Sequence, residues 1–432
     1  MGVSRTVKLS MIAAVALAAA AVAPAGPALA AGHSPALPAA TSSGARLWAN
    51  NYKALKGASG AAVAVSPSGA TVFAAGGEMK PSGRYDGLVV AYSATTGAIL
   101  WKSVYSLTSG AEMDAIAVSP DGSTVFATGP GGTIAYAAGT GAVLWTDASL
   151  GGAQVVVSAD GSTVFVTSNS GATVAYSAAT GALVWQSTTT GFEIGLSLTV
   201  SPDGSVVYAV GIADGGDCEA VAYNAATGAT LWQAESSAGG RLDQVAVTPD
   251  GSTVVASGPE IALGFNAATG AQLWVRTITT GEIGASQSAL AMSTSGSAAF
   301  VSQVVYHISH GIVQYTDYET RAYNTATGAT VWQKVYKDGL GYGPSAAGVS
   351  PDGSTVFVTG TSTNTAGNYI YTTVAYSTAS GAQLWIAHFE EGAKSQAEAL
   401  AVSPDAIFVT GTSSQTIGQT DGFKLATVAY SY

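Results

Sequence analysis

His307 and His310, in the run HISH, stand close enough to ligate a metal ion, yet no carboxylate or cysteine pattern that would complete such a site accompanies them. Asp214, Asp217 and Glu219, in DGGDCE, could give oxygens to calcium; their spacing matches no full calcium loop, and an ordinary acidic turn is the simpler account. Asp114, Asp243 and Glu398 each come a few residues before a Pro-Asp pair. Carboxylates recurring at one place in a repeating chain could hold a cation or serve as acid and base, or could bond to backbone N–H groups of neighbouring loops. No Ser-His-Asp order, phosphate loop or metalloprotease helix occurs.

The elements that position these residues are set by two recurring patterns. The first is a strand, a turn and a strand, seen at residues 115–129 (AIAVSPDGSTVFATG), 198–211, 245–258 and 347–360, with weaker copies around Pro67, Ala159, Thr294 and Pro404. Pro presets φ at the second turn residue, Asp caps the turn and Gly takes the left-handed position, so each copy predicts a hairpin. The second is AYSATTGAILW at residues 91–101, repeated at 135–145, 175–185, 222–232, 264–274, 322–332 and 375–385. A further copy is split between the chain ends: Ala429 to Tyr432 supply its first half, and Ser43 to Trp48 its second. All 8 tryptophans are thereby placed, one per repeat.

Together the patterns predict an all-β, eight-bladed propeller of four-stranded antiparallel blades with strands A to D from the axis outward, units of roughly 40 to 57 residues suiting that architecture. The N-terminal segment around Trp48 should add the outer strand of the last blade and so close the ring, hiding sheet edges. Asp114, Asp243 and Glu398 then fall at the start of innermost strands, with their carboxylates toward an axial channel.

The eleven-residue unit resembles the tryptophan-docking motif of the pyrroloquinoline-quinone (PQQ) type, quinoprotein alcohol dehydrogenase-like propellers, with Ala first, Thr-Gly at positions six and seven and Trp at eleven. The resemblance runs from about Gly44 to Tyr432. It implies eight blades with interblade tryptophans. It also brings two functional precedents: dehydrogenases that hold PQQ and calcium on the axis, and non-catalytic scaffolds of outer-membrane assembly. This chain departs from the dehydrogenases. They carry an adjacent cysteine pair, whereas Cys218 stands alone here, and their usual Asp and Lys at positions three and eight are replaced, as by Ser93 and Ala98. Arginine, which would pair with the three carboxylates of PQQ, is confined after the leader to Arg46, Arg84, Arg241, Arg276 and Arg321. The expectation is therefore the non-catalytic branch, with no cofactor; PQQ or calcium belongs to the alternative.

Connection lengths locate a binding face. The links between strands B and C are minimal in blades 2, 3 and 5 and long in blades 6, 7, 8 and 1, at residues 302–320, 361–372, 412–425 and 77–87. These four blades are neighbours in a closed ring, and the long links should raise a lopsided crown bearing Tyr85, Tyr306, Tyr315, Tyr318, Tyr369, Tyr371 and Phe423. Aromatic loops on a rigid scaffold suit a sugar polymer, a peptide or a protein partner; alternatively the loops pair into longer hairpins with their rings packed on one another.

The remaining composition bounds the setting. Arg5 and Lys8, an apolar run from Met11 to Ala23 and then Ala28-Leu29-Ala30 have the layout of a secretory leader (1–30), with cleavage expected after Ala30 and a flexible linker (31–43) and the propeller (44–432) expected to follow. No stretch approaches the roughly 20 apolar residues of a membrane helix. Lys and Arg total 15 against 26 Asp and Glu, without a basic block, which argues against nucleic acid. Cys218, the sole cysteine, is expected to be a buried apolar filler. The function expected is a secreted, monomeric binding module for an extracellular polymer or protein, held by the crown of blades 6 to 8 and 1. The alternative is a channel-centred enzyme, either a PQQ-dependent dehydrogenase or a hydrolase or lyase.

Overall fold

A computed structural model describes residues 43–106, 112–168, 170–189, 192–213, 216–236, 240–277, 288–310, 312–417 and 420–432. The expected leader and nearly all of the linker lie outside these residues. Among those described, 32 strands and no helix form eight four-stranded antiparallel sheets. Blades 1 to 7 are each continuous in sequence: 58–105, 115–147, 154–188, 192–236, 244–277, 288–339 and 343–389. Blade 8 takes its three inner strands from 395–430 and its outermost from Arg46–Tyr52, which pairs with Thr420–Tyr430. The expected closure of the ring is thus present, and it leaves the last blade with a covered edge.

Local chemistry explains each blade. In the A–B turns Asp121, Asp160, Asp203, Asp250 and Asp352 accept from the Ser or Thr hydroxyl two residues earlier at 2.5 Å and from the backbone N–H two residues on at 3.0 Å. Those bonds hold all five carboxyls below the ordinary value. In strand D, period-two alternation turns the residue before Trp outward and the indole inward, so Leu231 is exposed while Trp232 is buried.

Eight apolar clusters, one between each pair of adjacent blades, make up the core. Each indole sits where two sheets meet. Trp145, for example, lies 5.8 Å from Phe126 of its own blade and 6.0 Å from Tyr176 of the next. Seven indoles donate Nε1–H to a backbone carbonyl of the next blade at 2.7–2.9 Å. The motif glycine of that blade lies flat beneath the ring: a Cβ at Gly141 would sit 2.4 Å from Trp101 Cε3, and φ there is +71°. Gly44 makes the corresponding contact with Trp385, so the seam where the chain ends meet uses the same joint as the other seven.

Candidate functional site

Antiparallel order brings the B–C and D–A connections to one face, and there the long links of blades 6, 8 and 1 are hairpins. In blade 6, Ala298–Ser309 pairs with Ile312–Asn324; in blade 8, Ile407–Ile417 pairs with Thr420–Tyr430. Tyr315 is exposed on the first of these arms, its ring stacked 4.1 Å from His307, whose Nε2 lies 2.8 Å from Asp317 Oδ2. His307 is therefore committed to its own hairpin. His310 lies at the tip with φ +51°, its Nδ1 3.0 Å from Ser309 Oγ. Tyr306 and Tyr369 are half-buried and Phe423 is exposed.

Two of the expected crown tyrosines are not on the surface. Tyr318 is 1% and Tyr371 0% exposed, the former edge-on to Tyr336 at 5.5 Å and the latter packed on Phe389 at 5.2 Å. Both belong to interblade clusters, because the neighbouring blade covers their strands at that depth. Loop-length reasoning pointed to this face but passed over exposed apolar residues of its D–A connections: Leu55 at 90% and, between blades 6 and 7, Leu340 and Tyr342. The signal was available as unpatterned apolar residues in glycine-rich links. Tyr342 stacks on Tyr369 at 4.9 Å, and the hydrogen bond between them pushes its phenol up to about 12. Leu340 N–H donates to Thr363 Oγ1 at 3.0 Å, and Phe423 abuts Gly57, so D–A and B–C elements form one continuous surface.

The three axial acids occupy equivalent positions, five residues before the turn Ser or Thr; the other blades have Ala61, Ala153, Leu196, Ser288 and Ser345 there. They are not treated alike. Asp243 accepts from Ser288 Oγ of the next blade at 2.5 Å and faces Arg241 Nε at 3.8 Å, so burial raises it only to about 6. Ser288 also donates its backbone N–H to Asp243, the capping role that was one of the two expected. Asp114 and Glu398 are each pushed up to about 8, first by burial and then by the Glu112 carboxylate, and among the described residues no cation or hydrogen bond pulls either down. Glu398 is the extra residue of a bulge between Ala397 and Ala399 and keeps part of its side chain in accessible space. Glu112 was not anticipated from sequence. Its side chain lies across Gly77 and against Tyr85, burial raises its pKa, and the Ser59 hydroxyl acts the other way.

Among the described residues no three His, Cys, Asp or Glu side chains are grouped closely enough to hold a metal ion. The acidic run of blade 4 is split, since Cys218 and Glu219 are buried in a strand, Glu219 accepts from Gln233, and Asp214 lies outside the described residues. PQQ does not fit this channel end either. A tricarboxylate would meet Glu112, Asp114 and Glu398 with no cation acting on them, and Cys218 is buried and single.

The family model described as outer membrane protein assembly factor BamB matches residues 85–155, 130–320 and 316–424. A search of curated proteins found no match. In fold, the chain is similar to BamB from Moraxella catarrhalis (16% identity, TM-score 0.56, 90% of this chain and 99% of that one). It is also similar to Chaetomium thermophilum Sqt1 bound to the N-terminus of the ribosomal protein L10 (12%, TM-score 0.65, 88% and 98%). A third similar structure is the quinohemoprotein alcohol dehydrogenase ADHIIG from Pseudomonas putida HK5 (14%, TM-score 0.58, 88% and 75%). No helix among the described residues is long and apolar enough to cross a membrane.

Proposed function

This chain belongs to the family of the outer membrane protein assembly factor BamB, and on that premise we propose that it is a secreted, non-catalytic propeller that holds an extended segment of a protein partner on its crown face. The observation that carries this reading is the exposure of Leu55, Ile312, Tyr315, Leu340, Tyr342 and Phe423, each at least 36% open to solvent, on connections of blades 6, 7, 8 and 1. Large apolar and aromatic side chains on rigid hairpins lose little entropy on contact, which is how interface anchors work. The fold relative Sqt1, bound to the N-terminus of a ribosomal protein, supports a polypeptide as the occupant.

The test compares capture of secreted polypeptides by the native chain, by a Leu55→Ser, Tyr342→Ser, Phe423→Ser variant and by a control carrying Leu231→Ser on the propeller's perimeter. The crown variant should lose a specifically captured polypeptide that the control retains, with melting temperature unchanged in both. Equal capture by all three would overturn the reading. A channel-centred hydrolase or lyase would instead draw on Asp114 and Glu398 as neutral acids near pH 7, and any turnover would then vanish in Asp114→Asn.

A further inference from the structure

We propose that the crown-face end of the axial channel, where blades 8, 1 and 2 meet, binds one organic cation with several N–H donors, a guanidinium or alkylammonium group, through Glu112, Asp114 and Glu398. The inference does not rest on the crown reading.

It starts from a contrast within one ring of equivalent positions. Asp243 has its partners built in: the Ser288 hydroxyl and backbone N–H from the next blade, and Arg241 beside it. Asp114 is 92% removed from solvent, yet among the described residues its carboxyl has neither a hydrogen-bond donor nor a cation. Glu398 shows the same lack among the described residues, although part of its side chain stays accessible. Buried carboxyls are ordinarily paired, and no group among the described residues completes Asp114, which leaves that place to an outside cation.

The geometry says where. Blade 1 lies between the two acids, and its residue at the same ring position is Ala61, whose small side chain is only half-buried. Space therefore remains between the strands that carry Asp114 and Glu398. Glu112, two residues before Asp114, lays its side chain against Gly77 of blade 1 and acts electrostatically on both acids, so it stands within reach of each. The three carboxyls are not grouped tightly enough for a metal ion. A guanidinium or ammonium group reaches farther, since each N–H takes its own acceptor at hydrogen-bond distance. Innermost strands begin at the crown face, so this region opens toward it.

The shared chemistry has two sources, a free amine or an Arg or Lys side chain of a partner. Isothermal titration of the full chain with agmatine and, separately, with a capped Gly-Arg-Gly tripeptide distinguishes them. The native protein should bind at one site per chain and release protons to the buffer as the carboxyls ionise. Asp114→Asn and Glu398→Gln should each weaken binding about tenfold or more, the loss of one charge-assisted bond, whereas Glu235→Gln, on the exposed surface, should not. Both substitutions replace a carboxyl that burial already keeps protonated by a neutral amide of the same size, so melting temperatures should be equal or higher. Agmatine bound as well as the tripeptide identifies a free amine as the occupant; a clear preference for the tripeptide identifies a partner side chain. Absence of one-site binding by either probe at about 10 mM, or unchanged affinity in both variants, would overturn the proposal.

Discussion

Gly141 and Gly204 share a backbone conformation, with φ of +71° and +74°, and differ in what a side chain would meet. Around Gly204, in an A–B turn, nothing lies within 4 Å of an added Cβ; at Gly141 the same atom would fall 2.4 Å from Trp101 Cε3 and 2.7 Å from Cδ2. Gly204→Ala therefore costs only the left-handed backbone penalty of about 1–2 kcal/mol. Gly141→Ala adds the displacement of an indole that is fixed on its other side by Phe73 and held by a hydrogen bond to Ala138 O. Overpacking of that kind costs about 1–3 kcal/mol, for a total of about 2–5 kcal/mol. Urea unfolding followed by tryptophan fluorescence and circular dichroism measures both variants. A double-mutant cycle completes the experiment, because in a Trp101→Ala background the Gly141→Ala cost should fall to that of Gly204→Ala. Equal losses for the two glycines in the native background would refute the argument that the motif glycine exists to seat the preceding blade's tryptophan.

Trp48→Ala should cost about as much as Trp185→Ala, roughly 3–5 kcal/mol, because the joint between the chain ends repeats the contacts of an internal joint; a much smaller loss at Trp48 in the same urea assay would show that closure contributes little. In the ligand-free protein, stability should fall as pH rises between about 5 and 8. Asp114 and Glu398 keep in the folded state, up to about 8, protons that ordinary Asp and Glu at 3.8 and 4.5 release when unfolded, so rising pH favours unfolding across that window. The Asp114→Asn, Glu398→Gln double variant should flatten the slope of melting temperature against pH. Cys218, buried and with its thiol pushed up to about 11 by burial and by Asp217 and Asp243, should resist alkylation at pH 8 until denaturant is added; rapid modification of the native protein would contradict its placement.

Blade number, strand order and the closing seam were legible in the sequence because each depends on local chemistry that repeats. Pro-Asp-Gly makes a tight turn wherever it stands, alternation sends Trp232 inward and Leu231 outward, and Gly141 or Gly44 is needed wherever an indole lies flat on the backbone. Even the bipartite last blade followed from counting half-motifs at the two ends. The face proposed for binding was legible only in outline. Loop length marked blades 6, 7, 8 and 1, but the depth of a tyrosine depends on how far the next blade rises beside it, and so Tyr318 and Tyr371 are core while Tyr315 is surface. The axial acids show the same division more sharply. Sequence aligned Asp114, Asp243 and Glu398 as equivalents; tertiary structure set Ser288 and Arg241 beside one and Glu112 near the other two. Arg241 and Glu112 stand two residues before Asp243 and Asp114, but the approach of Ser288 to Asp243 and of Glu112 to Glu398 joins segments far apart in the chain, and no local pattern encodes it. The protonation of a buried carboxyl is decided by the few groups around it and by the water it has lost, and both are properties of the closed ring rather than of any one repeat.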